Sequence, residues 1–150
     1  MSRLEIPAPD RAQLVIEGLY KDLERRIESS PPGLCPVDLT RAFLELCHAQ
    51  TCGKCVPCRI GLWQLKTMLT EVMNGEATMD TLKEMEELAV SIKDSADCAI
   101  GYEAADLVYK SLIGCREDYE SHILHDRCMS HSKQEVPCVA LCPAHVDIPG

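Results

Sequence analysis

Apolar residues recur along most of the chain at the three- and four-residue spacing of amphipathic helices, and few segments alternate with period two. Leu14, Val15, Leu19, Leu23 and Ile27 predict a first helix that opens near Pro9-Asp10 and is broken by Ser29-Ser30-Pro31-Pro32-Gly33. A shorter helix is expected from Pro36 or Val37 to about Cys47, with Leu39, Ala42, Phe43 and Leu46 on one face. The stripe Leu62, Leu65, Leu69, Val72 and Met73 predicts a third, closed by Asn74-Gly75 as a C-terminal cap. A fourth, carried by Leu82, Met85, Leu88, Ala89 and Ile92, can be capped by Thr78, Asp80 or Thr81. Of these, Thr81 stands at capping-box spacing from Glu84. Residues 95–101 read as a turn. Ala104, Ala105, Val108 and Leu112 then predict another helix, continued or restarted from Arg116 to about Leu124. The fold these elements predict is all-α, a helical bundle of four to six helices.

The pattern changes near His125. Arg127 to Gln134 is polar and aperiodic, and residues 137–150 are rich in cysteine and proline, an irregular tail that reads as the start of another module. The expected organisation is a helical extension over 1–44, a helical domain over 45–125, and a linker with the opening of a second module over 126–150.

Charge and composition narrow the function. With 15 Lys and Arg against 24 Asp and Glu, the net charge of −9 leaves no surplus of cations for phosphates, so nucleic-acid binding is excluded. No apolar run approaches the roughly 18 residues of a membrane span. The first residues, Met1-Ser2-Arg3-Leu4-Glu5-Ile6-Pro7, lack the apolar segment of a secretory signal, which predicts a cytoplasmic protein. Ten cysteines in 150 residues then point to metal rather than disulfides.

The run Cys52-Gly53-Lys54-Cys55-Val56-Pro57-Cys58 offers three thiolates within seven residues. Gly53 is expected to relieve crowding beside an inorganic core, and Pro57 to stiffen the turn. A [4Fe–4S] cluster needs a fourth thiolate. Cys98 is the best candidate, because the two helices predicted between it and Cys58 form a hairpin that returns the chain to its starting end. Zinc is the alternative: four thiolates would satisfy it in a helical docking domain without redox function. Structural zinc sites, however, usually pair two separated CxxC knuckles, and the three-plus-one pattern suits a cluster better. Cys47 shares a helical face with Phe43 and is expected in the core; Cys35 and Cys115 are scattered, as free cysteines that pack like small apolar residues often are. His48 is assigned a surface or packing role. Lys54 and Arg59 flank the thiolates and can offset cluster charge. No triad or carboxylate pair suggests hydrolytic chemistry.

A second, incomplete pattern, Cys138-Val139-Ala140-Leu141-Cys142-Pro143, matches the closing C-x3-C-P of bacterial ferredoxins. Together with Cys128 it supplies too few ligands for a cubane. A second cluster there requires further ligands from elsewhere.

The stretch Thr51 to Gly61, followed by Asp97-Cys98-Ala99-Ile100-Gly101 and by Cys115 to Ile123, resembles the C-terminal iron–sulfur domain of the NADH-binding flavoprotein subunit of respiratory complex I, of NAD-reducing hydrogenases and of formate dehydrogenases. The resemblance spans about residues 45–125. It implies a four-helix bundle holding a single [4Fe–4S] cluster at one end on Cys52, Cys55, Cys58 and Cys98. In that family an FMN- and NADH-binding domain precedes the cluster domain. Residues 1–45 lack its Gly-rich loop, so these 150 residues are expected neither to bind FMN nor to oxidise NADH.

The tail from Pro137 to Gly150 resembles the N-terminal region of the glutamate synthase small subunit and its relatives, which carry two [4Fe–4S] clusters followed by FAD- and NAD(P)H-binding domains. Cys138 and Cys142 match that stretch; Cys128 fits poorly. Together the two resemblances imply the N-terminal portion of a fused flavin oxidoreductase, an electron-transfer module that works with other redox subunits. FAD, FMN and NAD(P)H belong to missing domains or to those partners. No catalytic activity is expected from these residues alone.

Overall fold

The computed structural model describes residues 8–29 and 34–125. The described residues form six α-helices and no strand, as the helical periodicity predicts. They are α1 (Ala8–Ser29), α2 (Pro36–Ala49), α3 (Leu62–Met73), α4 (Met79–Ser95), α5 (Ala99–Gly114) and α6 (Arg116–His125). A π-helical turn, Pro57–Gly61, leads into α3. Among the described residues no helix is long and apolar enough to cross a membrane. The sequence-drawn boundary between residues 44 and 45 falls inside α2, whose buried residues belong to the same core as those of α3 to α5.

The central element is α5, which packs against all five other helices. Its composition explains why: Gly101, Ala104 and Ala105 are buried and let neighbouring backbones approach, while Val108 and Leu112 fill the far end. Around it α2 buries Val37, Phe43, Leu44 and Cys47, α3 buries Leu62, Leu65, Leu69 and Val72, and α4 buries Leu82, Met85, Ala89 and Ile92. Each set repeats at three or four residues, one stripe per helix. Complete burial of each leucine is worth roughly 1.5–3 kcal/mol.

Two helices expose residues that periodicity alone would place inside. On α1 the inward positions are Ala12 and Ile16, flanked by Val15, Leu19, Tyr20 and Leu23, whereas Leu14 is 69% exposed. On α2, Leu46 lies outward and Thr40 inward. Buried Thr40 is satisfied: its hydroxyl donates to the Pro36 carbonyl at 2.7 Å and pairs with Ser111 Oγ at 2.7 Å. Ser111 Oγ in turn lies 2.9 Å from Tyr119 Oη, so a buried hydroxyl chain ties α2, α5 and α6. Burial pushes the Tyr119 phenol up to about 12 despite these hydrogen bonds.

The caps set the lengths of the hairpin arms. At the end of α3, the Glu76 N–H donates to the Glu71 carbonyl and the Gly75 N–H to the Val72 carbonyl, with Gly75 at φ 71°. This is a Schellman motif, and glycine adopts its left-handed position without a Cβ penalty. Helix α4 is capped by Thr78, whose hydroxyl accepts from the Thr81 N–H while the Thr81 hydroxyl accepts from the Thr78 N–H. The reciprocal cap is therefore Thr78–Thr81, not the Thr81–Glu84 spacing read from sequence. Helix α4 also runs on to Ser95, which shrinks the expected turn over 95–101 to Ala96–Cys98.

Candidate metal centre

The α3–α4 hairpin starts and ends at the cysteine loop. At its start lies Gly61, buried in the π-helical turn; a Cβ added there would stand 2.7 Å from Ile92 Cδ1, in the last turns of α4. Three residues after α4 ends, Cys98 occupies the N-cap of α5 in extended conformation, and its thiol makes no capping hydrogen bond. Helix initiation there is carried by its carbonyl, which accepts the Gly101 N–H at 3.0 Å. The sulfur is left to face the cysteine loop. The return of the chain that the hairpin argument requires is thus present.

The thiol of Cys58 lies near those of Cys55 and Cys98, close enough for each to disfavour its ionisation. Its sulfur lies over Gly101: a Cβ on that glycine would stand 2.5 Å from Cys58 Sγ and 2.6 Å from Ala96 Cβ. Among protein atoms, this is where a missing Cβ relieves crowding. Nothing lies within 4 Å of a Cβ at Gly53, whose φ of 71° gives glycine there a conformational reason. Cys52 is exposed and lines a cavity of about 360 Å³ together with Cys98 and Ile100. The other wall of this cavity includes Arg11, Ala12 and Val15 of α1 and Gln50 after α2, none of which the sequence singled out.

The thiols differ in their readiness to ionise. Burial pushes the Cys58 thiol up, and proximity to Cys55 and Cys98 pushes it further. Burial also opposes ionisation of Cys55. Hydrogen bonds from the backbone N–H of Cys58, the Cys58 thiol and the backbone N–H of Asp97 outweigh it, so its pKa falls below the ordinary thiol value. Fixed N–H dipoles aimed at one sulfur are what a thiolate ligand needs.

The donor set fits an iron–sulfur cluster. Three sulfurs from two separated segments meet, a fourth lines the adjoining cavity, and Gly101 leaves room for Cys58 where any side chain would intrude.

The remaining candidates separate cleanly. Cys47 is buried in the core, as expected, and burial pushes its thiol up to about 12. Cys115 is partly buried and caps the end of α5; burial, then the nearby Asp118 carboxylate, pushes its pKa up. Cys35 is buried 3.2 Å from His122 Nε2, a pairing across 87 residues that no local pattern signals. His48 is half-buried, and Lys54 and Arg59 are exposed. Cys128, Cys138 and Cys142 lie outside the described residues.

Comparison with known proteins decides the family. The NADH-ubiquinone oxidoreductase-F iron–sulfur binding region matches residues 38–122. The chain belongs to this family. Its cofactor is accordingly a [4Fe–4S] cluster, and the zinc alternative is not favoured. The match takes in all of α2 except its first residues, so the family region starts earlier than the resemblance read from sequence.

Relatives of this iron–sulfur region occur in several enzymes. The NADP-reducing hydrogenase subunit HndC of Solidesulfovibrio fructosivorans is 31% identical over 113 residues, 75% of this chain and 22% of its own length. An NADH-quinone oxidoreductase subunit of Streptomyces coelicolor is 34% identical over 94 residues, 63% of this chain and 21% of its own. The NADPH-Fe(3+) oxidoreductase subunit beta of Geobacter sulfurreducens is 30% identical over 126 residues, 79% of this chain and 18% of its own. The chain spans about a fifth of the length of these relatives.

Proposed function

We propose that Cys52, Cys55, Cys58 and Cys98 ligate the [4Fe–4S] cluster, and that the domain relays single electrons within a multi-component NAD(P)H-linked flavin oxidoreductase. The observation that carries this reading is the nearness of both Cys55 and Cys98 to Cys58, whose sulfur lies over Gly101, in a chain of the oxidoreductase-F iron–sulfur family. When bound, the cluster takes up and gives back one electron at a time. The chain's own residues do the rest. Cys55 is held toward the thiolate by the N–H groups of Cys58 and Asp97. Helix α5 fixes Cys98 at its N-cap, and the α3–α4 hairpin sets the separation of the two ligand segments.

Flavin and nicotinamide chemistry belongs, in this reading, to other domains or to partner subunits. The names of the relatives, which include NADH-quinone, NADP-reducing and NADPH-dependent oxidoreductase subunits, support redox partners and leave the choice of nicotinamide open. Cys138, Cys142 and Cys128 are proposed to begin a second iron–sulfur module of the glutamate synthase small-subunit type.

The test is anaerobic purification of the full chain with iron and sulfide analysis and electron paramagnetic resonance of the reduced protein. A loaded wild type should show broad visible absorption and a cluster signal, and Cys55→Ala and Cys98→Ala should lose both. A full complement of iron in Cys98→Ala, or stoichiometric zinc in the wild type, would overturn the assignment.

A further inference from the structure

The family match begins at residue 38, yet the cavity beside the cysteines is walled on one side by α1, which lies wholly before it. Helix α1 is seated firmly. Ile16 is 1% exposed, the Tyr20 ring lies 5.0 Å from that of Phe43, and Tyr20 Oη donates to Glu103 Oε2 at 3.1 Å. This anchorage to α2 and α5 holds the N-terminal turns of α1, with Arg11, Ala12 and Val15, against the cavity that Cys52 and Cys98 line. Apart from the cysteines, Arg11 is the charged side chain of that lining.

We infer that α1 is a cover for the cluster and that Arg11 is a positioning residue that sets its reduction potential. This rests on the ligand reading proposed above. Reduction adds a negative charge within the cavity, and a guanidinium at its wall favours the reduced state by Coulomb attraction. Arg11 is itself exposed, but the buried Ala12 and half-buried Val15 beside it make the rest of that wall apolar, which strengthens the attraction relative to open solvent. Arginine suits the place because it stays protonated at every working pH. Lys54 and Arg59, flanking the cysteines in sequence, are exposed, as Arg11 is, but lie outside this lining, so the cation that matters is remote in sequence and near in space.

The experiment is a redox titration of the full, iron-loaded chain in four variants, followed by electron paramagnetic resonance at two ionic strengths. Arg11→Gln should move the midpoint potential to more negative values, and Arg11→Glu about twice as far, since the interaction is linear in charge. Arg11→Lys should stay near wild type. Lys21→Glu, an equal charge reversal at an exposed position further along α1, should move it far less. High salt should shrink the Arg11 shifts. Fully loaded Arg11 variants with the wild-type potential would overturn the role of Arg11 and leave the ligand assignment standing. A wild-type chain that binds no iron would overturn the ligand assignment, and this inference with it.

Discussion

Gly101 shows how much one missing Cβ controls. A methyl group there would stand 2.5 Å from Cys58 Sγ and 2.6 Å from Ala96 Cβ, so either the sulfur or the α4–α5 connection must move. Gly101→Ala should lower iron content after purification and destabilise the fold by about 1–3 kcal/mol, the usual cost of overpacking. Gly114, in the same helix, is the control: nothing lies within 4 Å of its would-be Cβ. Gly114→Ala should keep full iron and gain roughly 0.5–1 kcal/mol from helix propensity. Denaturant unfolding and iron analysis of the pair check both statements; equal iron loading in the two variants would deny Gly101 its place beside the ligands. At this scale the sequence was informative where chemistry is local. Three cysteines in seven residues announce themselves, and the helical hairpin that returns the chain to them at Cys98 was legible from two apolar stripes. The Cys35–His122 pair and the lining role of Arg11 were not legible, because each joins residues from distant helices and leaves no spacing signature.

Helix existence was legible and helix orientation less so. Periodicity locates the apolar stripe, but which flank of the stripe faces inward depends on the neighbour. On α1 that neighbour is α5, and it takes Ala12 and Ile16 while Leu14 stays in solvent. The π-helical turn at Pro57–Gly61 was missed for a similar reason: its wider turn is set by the fit of Cys58 and Gly61 against α4 and α5. Two predictions belong to the elements. Thr78→Ala removes one side of the α4 capping box and should cost about 0.5–2 kcal/mol, read as a lower denaturant midpoint at unchanged m-value. Asp106 of α5 pairs with Lys93 of α4 and Lys110 of its own helix. Although burial opposes its ionisation, the two ammonium groups hold its carboxyl below its ordinary value of 3.8. The same partnership raises the Lys93 ammonium above its ordinary 10.5. The aspartate's contribution is therefore complete above its unfolded pKa and lost as pH falls through the lower folded value. The lysine's is complete below its unfolded pKa and lost as pH rises through its folded value. The thermal-midpoint gap between wild type and Asp106→Asn should accordingly stay flat across the plateau between the two ordinary values, for example from about pH 5 to about pH 8. A gap that changed steadily across that range would assign it to another group.

At the scale of the whole molecule, the cysteine loop borders the core: Cys58 is buried within it, and Cys55 and Cys98 pack against it. Leu44, Leu65, Leu69, Leu82, Met85 and Leu112 are fully buried, and the Thr40–Ser111–Tyr119 chain ties α2, α5 and α6. The proposed ligand segments are short, follow helix ends and border a cavity. A ligand that binds only the folded chain stabilises it by mass action, and a cluster ligated as proposed, by residues 52–58 and residue 98, would add a closed loop around the α3–α4 hairpin. Its removal should therefore act unevenly. Chelation of the loaded chain should lower the thermal midpoint and raise amide exchange in residues 52–61 and 96–101, while amides in the middle of α2, α3 and α5 keep most of their protection. Hydrogen exchange on matched loaded and chelated samples measures this directly. Uniform loss of protection would mean that the core cannot stand without the metal, and that burial of the leucines is a consequence of cluster binding rather than the scaffold that presents its ligands.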